Sequence, residues 1–285
     1  MRALKIAVIG SGSTYTPELI QGFIKRRDTL NVASLYMMDI DREKNEIVSG
    51  LVRRMLAANG MTPEFVLTEN LEEAIRGADY VLGQIRVGLL DARIRDEKIP
   101  LKYGLLGQET TGAGGFMNAL RTVPVILEIA RLIERLSPDA WFINFSNPSG
   151  IVAQAVLNHT NAHMIGLCNV PTVVLRDAAL RVPPGTKQFD YDYVGLNHLA
   201  WLTAIYADGK EVLREQLDKG VEIPGMKNTP AIPYPPEMLR QIGGIPANYP
   251  SYFYFRDEHI RMCQEADQCR GEVCRGLEKT LLEMY

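Results

Sequence analysis

From Leu4 to about residue 165 the chain repeats one pattern, a short and continuously apolar run followed by a longer amphipathic stretch. Apolar on both sides, such runs cannot form a sheet with one wet face. They demand parallel strands with helices packed over both surfaces. The predicted strands are "LKIAVIG", "VASLYMMDID", "PEFVLTEN", "DYVLGQIRV" and "AWFINFS"; the helices between them include "TPELIQGFIKRR", "REKNEIVSGLVRRMLAANG" and "ALRTVPVILEIARLIERLSP". The expectation is an α/β fold: a Rossmann-like doubly wound parallel sheet over residues 1–168. Beyond about residue 170 the rhythm changes. "DYVGLNHLAWLTAIYADGKEV" reads as strands with a hairpin turned at Asp208-Gly209, the Pro-rich "VEIPGMKNTPAIPYPP" as a loop, and the closing "EHIRMCQEADQCRGEVCRGLEKTLLEMY" as helix. Residues 169–285 are therefore expected to form a smaller α+β domain.

Composition removes several function classes. A formal net charge of −3 gives no reason to expect nucleic acid or an anionic membrane as partner, so any anion must be held by local arginines. The apolar run in "MRALKIAVIG" is too short for a secretory or membrane-spanning segment, which points to the cytoplasm. Four cysteines occur, Cys168, Cys263, Cys269 and Cys274, with no C-x-x-C pair, and a cytosolic chain should hold them reduced. The last three fall in helical sequence, where Cys acts as a small hydrophobe.

Four stretches carry chemistry. In "IAVIGSGSTYTPEL" a strand runs through a glycine turn into a helix, so Gly10 and Gly12 allow the backbone to approach a pyrophosphate while Ser13 and Thr14 add donors at a helix N-terminus. Tyr15 stands where the third glycine of a dinucleotide fingerprint would be. Asp39, closing the second strand, is placed to accept hydrogen bonds from ribose hydroxyls, which favours NAD over a 2′-phosphorylated cofactor. The run from Asp91 to Arg121 holds Arg93, Gln108, Glu109 and Thr110 among glycines and reads as a functional loop at the ligand edge of the sheet. Arg93 offers a forked donor set to phosphate or carboxylate; taken alone, an arginine in such a run is more often a solvated surface charge, and Glu109 alone reads likewise as a solvated acid. "AWFINFSNPSG" puts Asn144 and Asn147 at a strand's carboxyl end, although Asn-Pro is also ordinary turn chemistry. Finally, Cys168 and His198 lie in short Gly- and Asn-rich segments. By spacing alone they read as a buried thiol and a satisfied histidine; as two ligands with an open coordination sphere they read as a catalytic metal site.

Taken together, "GSGSTYTPEL", "DEKIPLKYGLLGQETTGAGG", "NFSNPSGIV", "GLCNVP", "GLNHLAW" and "GGIPANY" resemble glycoside hydrolase family 4, and most closely its 6-phospho-β-glucosidase branch. The likeness extends over nearly the whole chain. That family is an exception to two-carboxylate glycosidase chemistry, and no acid pair stands out here. The resemblance implies redox-neutral hydrolysis of a phosphorylated glycoside: NAD+ oxidises C3, the acidified C2 proton is removed, the C1 aglycone is eliminated, water adds and the hydride returns. It implies Cys168 and His198 as ligands of a divalent metal, Mn2+ foremost, with Fe2+, Co2+ or Ni2+ as alternatives better suited to a thiolate. It implies Arg93, Asn147 and Asn169 as phosphosugar contacts, with Asn169 matching the β-acting form where α-acting members tend to carry Asp. Glu109 matches an acid near metal and sugar. Tyr249 matches the base for C2, with Tyr252 and Tyr254 as near neighbours; without the resemblance this Tyr-rich segment reads as aromatic packing. The resemblance further implies a homo-oligomer, dimer or tetramer, and a substrate and metal domain over 169–285 that is shortened at its C-terminus relative to the family. Two other functions are carried forward: an NAD-dependent 2-hydroxy-acid dehydrogenase, and an NAD- or sugar-phosphate-binding protein without activity.

Overall fold

The computed structural model describes residues 2–219, 221, 223 and 229–285. The Pro-rich stretch read as a loop therefore falls partly outside the described residues. The chain divides into two compact units, Met1–Leu167 together with Ala266–Tyr285, and Cys168–Glu265.

The first unit runs β1 (Leu4–Ile9), α1 (Thr16–Lys25), β2 (Val32–Met38), α2 (Arg42–Ala58), β3 (Glu64–Thr68), α3 (Leu71–Ile75), β4 (Tyr80–Gly83), α4 (Leu89–Leu101), α5 (Gly112–Leu136), β5 (Trp141–Asn144), α6 (Ser149–His159) and β6 (His163–Gly166). The sheet is parallel in the order β3-β2-β1-β4-β5-β6. The predicted doubly wound Rossmann-like sheet is what forms. Alternation along β1 explains why: Ile6 and Val8 bury against Ile20 and Ile24 of α1 and Val48, Val52 and Leu56 of α2, while Ala7 and Ile9 bury against Ile126, Ile129 and Ile133 of α5 and Val152 and Val156 of α6. Each large side chain so buried stabilises the unit by roughly 1.5–3 kcal/mol. Asp41 and Asn70 cap α2 and α3 by accepting from the backbone N–H of Lys44 and Glu73. Strand order reverses between β1 and β4, and open α/β sheets bind ligands at the carboxyl edge of such a switch point.

One expectation fails here. The run from Asp91 to Arg121, read as a loop, is mostly helix: α4 covers its first part and α5 begins at Gly112, leaving residues 102–111 as the connection. The inward face of α4 is Ala92, Arg93, Asp96, Glu97 and Pro100, a helical spacing written chiefly in polar residues. Apolar periodicity was therefore absent from a face that is nonetheless buried.

The second unit comprises α7 (Val170–Ala179), β7 (Phe189–Leu196), β8 (Leu199–Ala207), β9 (Lys210–Glu211), α8 (Leu213–Lys219), α9 (Pro236–Ile242), β10 (Ile245–Pro246), α10 (Ser251–Tyr254) and α11 (Arg256–Glu265). Its sheet is antiparallel, β10-β8-β7, with β9 paired to β8. Asp208 (φ 51°) and Gly209 (φ 80°) are both left-handed, as a tight two-residue hairpin requires. The last helix, α12 (Arg270–Met284), belongs to the first unit, where the backbone N–H of Gly271 donates to Glu97 at 2.7 Å and Lys44 pairs with Glu278 at 2.5 Å. Among the described residues, no helix is long and apolar enough to cross a membrane.

Candidate active site

The glycine turn after β1 is held rigidly. Ser11 is fully buried and donates from Oγ to Asn45 at 2.8 Å; Thr16 Oγ1 donates to the Ser11 carbonyl at 2.8 Å and receives the Gln84 amide at 2.6 Å. Gly10 adopts φ 88°, and a Cβ there would meet the Gln84 carbonyl oxygen at 2.9 Å. A Cβ on Gly12 would meet Asp39 Oδ2 at 2.9 Å. Asp39 accepts the Gly12 N–H at 2.8 Å on Oδ2 and the Asp41 N–H at 3.0 Å on Oδ1, so the backbone orients the carboxylate at the end of β2. Ser13 Oγ accepts the Tyr15 N–H at 3.2 Å, and Ser13 and Thr14 lie half-buried at the entry to α1. Tyr15 is 60% exposed and meets Phe145 edge to face. A side chain facing solvent explains why a tyrosine is tolerated where a third glycine was looked for.

At the carboxyl edge beyond β4 stands a buried ion cluster. Arg93, 5% exposed, donates from Nε to Glu97 at 2.8 Å and pairs through Nη1 with Glu109 at 3.0 Å; Glu109, 4% exposed, also takes Arg86 at 2.5 Å. Neither Arg93 nor Glu109 is a solvated charge. Burial acts to lower the Arg93 pKa, but the Glu109 and Glu97 carboxylates outweigh it and the pKa rises. Beside them Arg121 grips Asp96 bidentately at 2.9 and 2.5 Å, and Asn118 donates to the Glu109 carbonyl at 3.1 Å. Gln108 Oε1 accepts the Thr110 and Thr111 N–H groups, so it shapes the connection that carries Glu109. Arg86, Asp96, Glu97 and Arg121 were not singled out in the sequence, although two signals were there: Arg93 and Glu97 are spaced i,i+4, and Arg86 follows a strand end at the ligand edge.

Following β5, Asn144 is fully buried and exchanges hydrogen bonds with the Ser146 backbone, so it serves the turn. Asn147 is half-buried and precedes a cis peptide to Pro148, the N-cap of α6.

The second unit gathers another constellation. Cys168 Sγ lies 3.3 Å from His198 Nε2. His198 occupies the two-residue tip between β7 and β8, where Leu196 pairs with Leu199, and its φ of 64° is left-handed, a conformation that few non-glycine residues adopt. Burial pushes the Cys168 thiol pKa up, against the Val170 and Asn169 backbone donors that lower it. Tyr249, 7% exposed, stacks on the His198 ring with centroids 3.6 Å apart and planes 8° apart. Tyr252 meets Tyr249 edge to face, whereas Tyr254 meets Tyr234 and Phe253. Asn169 is exposed at the N-cap of α7. Among the described residues no group of three or more His, Cys, Asp or Glu side chains forms a metal cage.

Comparison with known proteins is specific. A model of the family described as "Family 4 glycosyl hydrolase" matches residues 5–181, and one of its C-terminal domain matches residues 193–285. A probable 6-phospho-beta-glucosidase of Bacillus subtilis is 42% identical over 100% of this chain and 66% of its own length. The structure of the 6-phospho-beta glucosidase of Thermotoga maritima with manganese, NAD+ and glucose-6-phosphate superposes with a TM-score of 0.86 at 33% identity, covering 98% of this chain and 67% of that one. A 6-phospho-alpha-glucosidase from gut microorganisms, in complex with NAD and glucose-6-phosphate, gives 0.85 at 31% identity, covering 99% and 67%. The chain spans about two thirds of the length of the curated relatives it matches.

Proposed function

This chain belongs to glycoside hydrolase family 4, and from that premise we propose an NAD- and divalent-metal-dependent 6-phospho-β-glucosidase that hydrolyses phosphorylated disaccharides such as cellobiose 6-phosphate. The observation that carries the reading is the approach of Cys168 and His198 to 3.3 Å with Tyr249 stacked on the imidazole. A thiolate and an imidazole at that separation are within the span of one first-row transition ion with positions left open; the manganese in the Thermotoga maritima structure supports Mn2+, while the thiolate suits Fe2+, Co2+ or Ni2+ better. The turn at Gly10 and Gly12 has no room for side chains, and the oriented Asp39 carboxylate suits ribose hydroxyls, which supports NAD.

Bound NAD+ supplies a hydride acceptor at C3, and a bound divalent metal supplies Lewis acidity at the C2 and C3 oxygens. The protein does the rest. Gly10, Gly12, Ser13 and Thr14 hold the pyrophosphate and Asp39 the ribose. Tyr249 takes the C2 proton; a phenol with a reference pKa of about 10 needs nearby positive charge to do so near neutral pH. Arg93 has Nε and Nη1 committed to Glu97 and Glu109 and offers Nη2 to the phosphosugar, with Asn147 and Asn169 as further contacts. Glu109 is the acid that serves the sugar. The β preference is supported by the 42% identity to the Bacillus subtilis relative and by Asn169. In this reading the first unit binds NAD and contributes Arg93 and Asn147 to the phosphosugar, the second, which begins at Cys168, contributes the metal ligands, Asn169 and Tyr249, and the enzyme works in the cytoplasm as a dimer or tetramer.

A panel of p-nitrophenyl 6-phospho-α- and β-glucosides, with NAD+ and Mn2+ each omitted in turn, tests the proposal. Nitrophenol is expected from the β-linked substrate only when both are present, with no net NADH. No release with any divalent metal would refute it. Accumulating NADH would indicate a dehydrogenase, and ligand-dependent thermal stabilisation without turnover a binding protein.

A further inference from the structure

The second unit holds a fully buried histidine to which the reaction assigns nothing. His259 on α11 is 1% exposed, and its Nε2 lies 3.0 Å from Ser251 Oγ. Ser251 Oγ in turn donates to the Asn248 carbonyl at 2.7 Å. A hydroxyl has one hydrogen to give. With it committed to Asn248, the oxygen can only accept from His259, so the ring carries its proton on Nε2. Burial lowers the His259 pKa, against a smaller upward pull from Glu258, which favours the neutral ring.

This bond reaches Tyr249 by two routes. Ser251 fixes the Asn248 carbonyl, and with it the backbone on which Tyr249 follows. The Tyr252 ring, 4.5 Å from His259, meets the Tyr249 ring at 5.7 Å and 75°, and Tyr249 lies flat on His198. An imidazole that only filled space would need no hydroxyl partner; a hydrocarbon would serve at lower desolvation cost.

We infer that His259 is a positioning residue for Tyr249, fixing the phenol against His198 through Ser251 and Tyr252. Its kinetic consequence rests on the reading of Tyr249 as the C2 base; the placement itself does not.

The test compares His259→Leu, which removes the donor, with His259→Gln, whose amide donates from nearly the same point. The chain has four histidines, so ring-proton resonances can be assigned, with Tyr249→Leu marking the His198 position free of the tyrosine ring current. In His259→Leu the His198 signals are expected to move toward their Tyr249→Leu positions, and in His259→Gln to stay at the wild-type ones. Turnover of 6-phospho-β-glucoside should fall about tenfold or more in His259→Leu at unchanged KM, with a larger C2-deuterium isotope effect, and recover in His259→Gln. Should His259→Leu not fold, Ser251→Ala severs the same bond and is expected to shift His198 in the same direction. Unshifted His198 signals in a folded donor-free variant, or equal loss in the Leu and Gln variants, would overturn the inference. A wild-type chain with no turnover would count against Tyr249 as base, while the resonance shifts still decide the placement.

Discussion

Replacing Cys168 with serine is expected to lower metal-dependent turnover by on the order of 10²–10³-fold while leaving NAD+ affinity unchanged. A serine hydroxyl does not ionise near neutral pH and is a poor substitute for a thiolate toward a transition ion. Its loss leaves His198 as one donor where two stand 3.3 Å apart. The glycine turn proposed to hold NAD is braced by Ser11, Thr16, Asp39, Asn45 and Gln84 of the first unit, and Cys168 belongs to the second. Steady-state kinetics across a Mn2+ titration, with NAD+ binding measured separately, separate the two effects. A serine variant with wild-type turnover and metal requirement would remove Cys168 from the site.

The second large effect is on stability. Arg93→Met strips the shared cation from two carboxylates that are each about 95% buried, Glu97 and Glu109. Breaking a buried pair from one side costs about 3–5 kcal/mol, because the orphaned charge stays desolvated. Glu109 keeps Arg86 at 2.5 Å and Glu97 keeps the Gly271 N–H at 2.7 Å, so the lower half of that range is expected. Urea unfolding measures it, and adding Glu97→Gln to Arg93→Met should restore part of the loss, since the neutral amide no longer needs the cation. A cost below about 1 kcal/mol would mean the cluster behaves as a surface network.

Reading the chain unaided worked where burial is apolar. In β1, Ile6 and Val8 face one set of helices and Ala7 and Ile9 the other, so the continuous hydrophobic run already stated a sheet covered on both sides. The Asp208-Gly209 turn was equally plain, because left-handed backbone selects those residue types. Where the buried face is polar the same reasoning failed. The face of α4 is lined by Arg93, Asp96 and Glu97; the pairing of Arg93 with Glu109, 16 positions later, and of Asp96 with Arg121, 25 positions later, is invisible to any local pattern. The tie from Glu97 to Gly271 spans a still longer separation, and the period of α12 says nothing about which unit it joins. For the site, residue type left Cys168 and His198 open between a buried pair and a metal centre and Tyr249 as aromatic packing, and family likeness decided all three. Their proximity depends on β7, β8 and the segments before α7 and α10 closing on one another, which no local pattern states.

The central claim is that the glycosidic bond breaks after a C2 proton is removed from an oxidised sugar. Turnover of a 6-phospho-β-glucoside in D2O with NAD+ and Mn2+ tests it most directly, by mass and NMR analysis of the glucose 6-phosphate released. Deuterium at C2, with no net NADH, is the predicted result. Product carrying only protium at C2 would contradict the account.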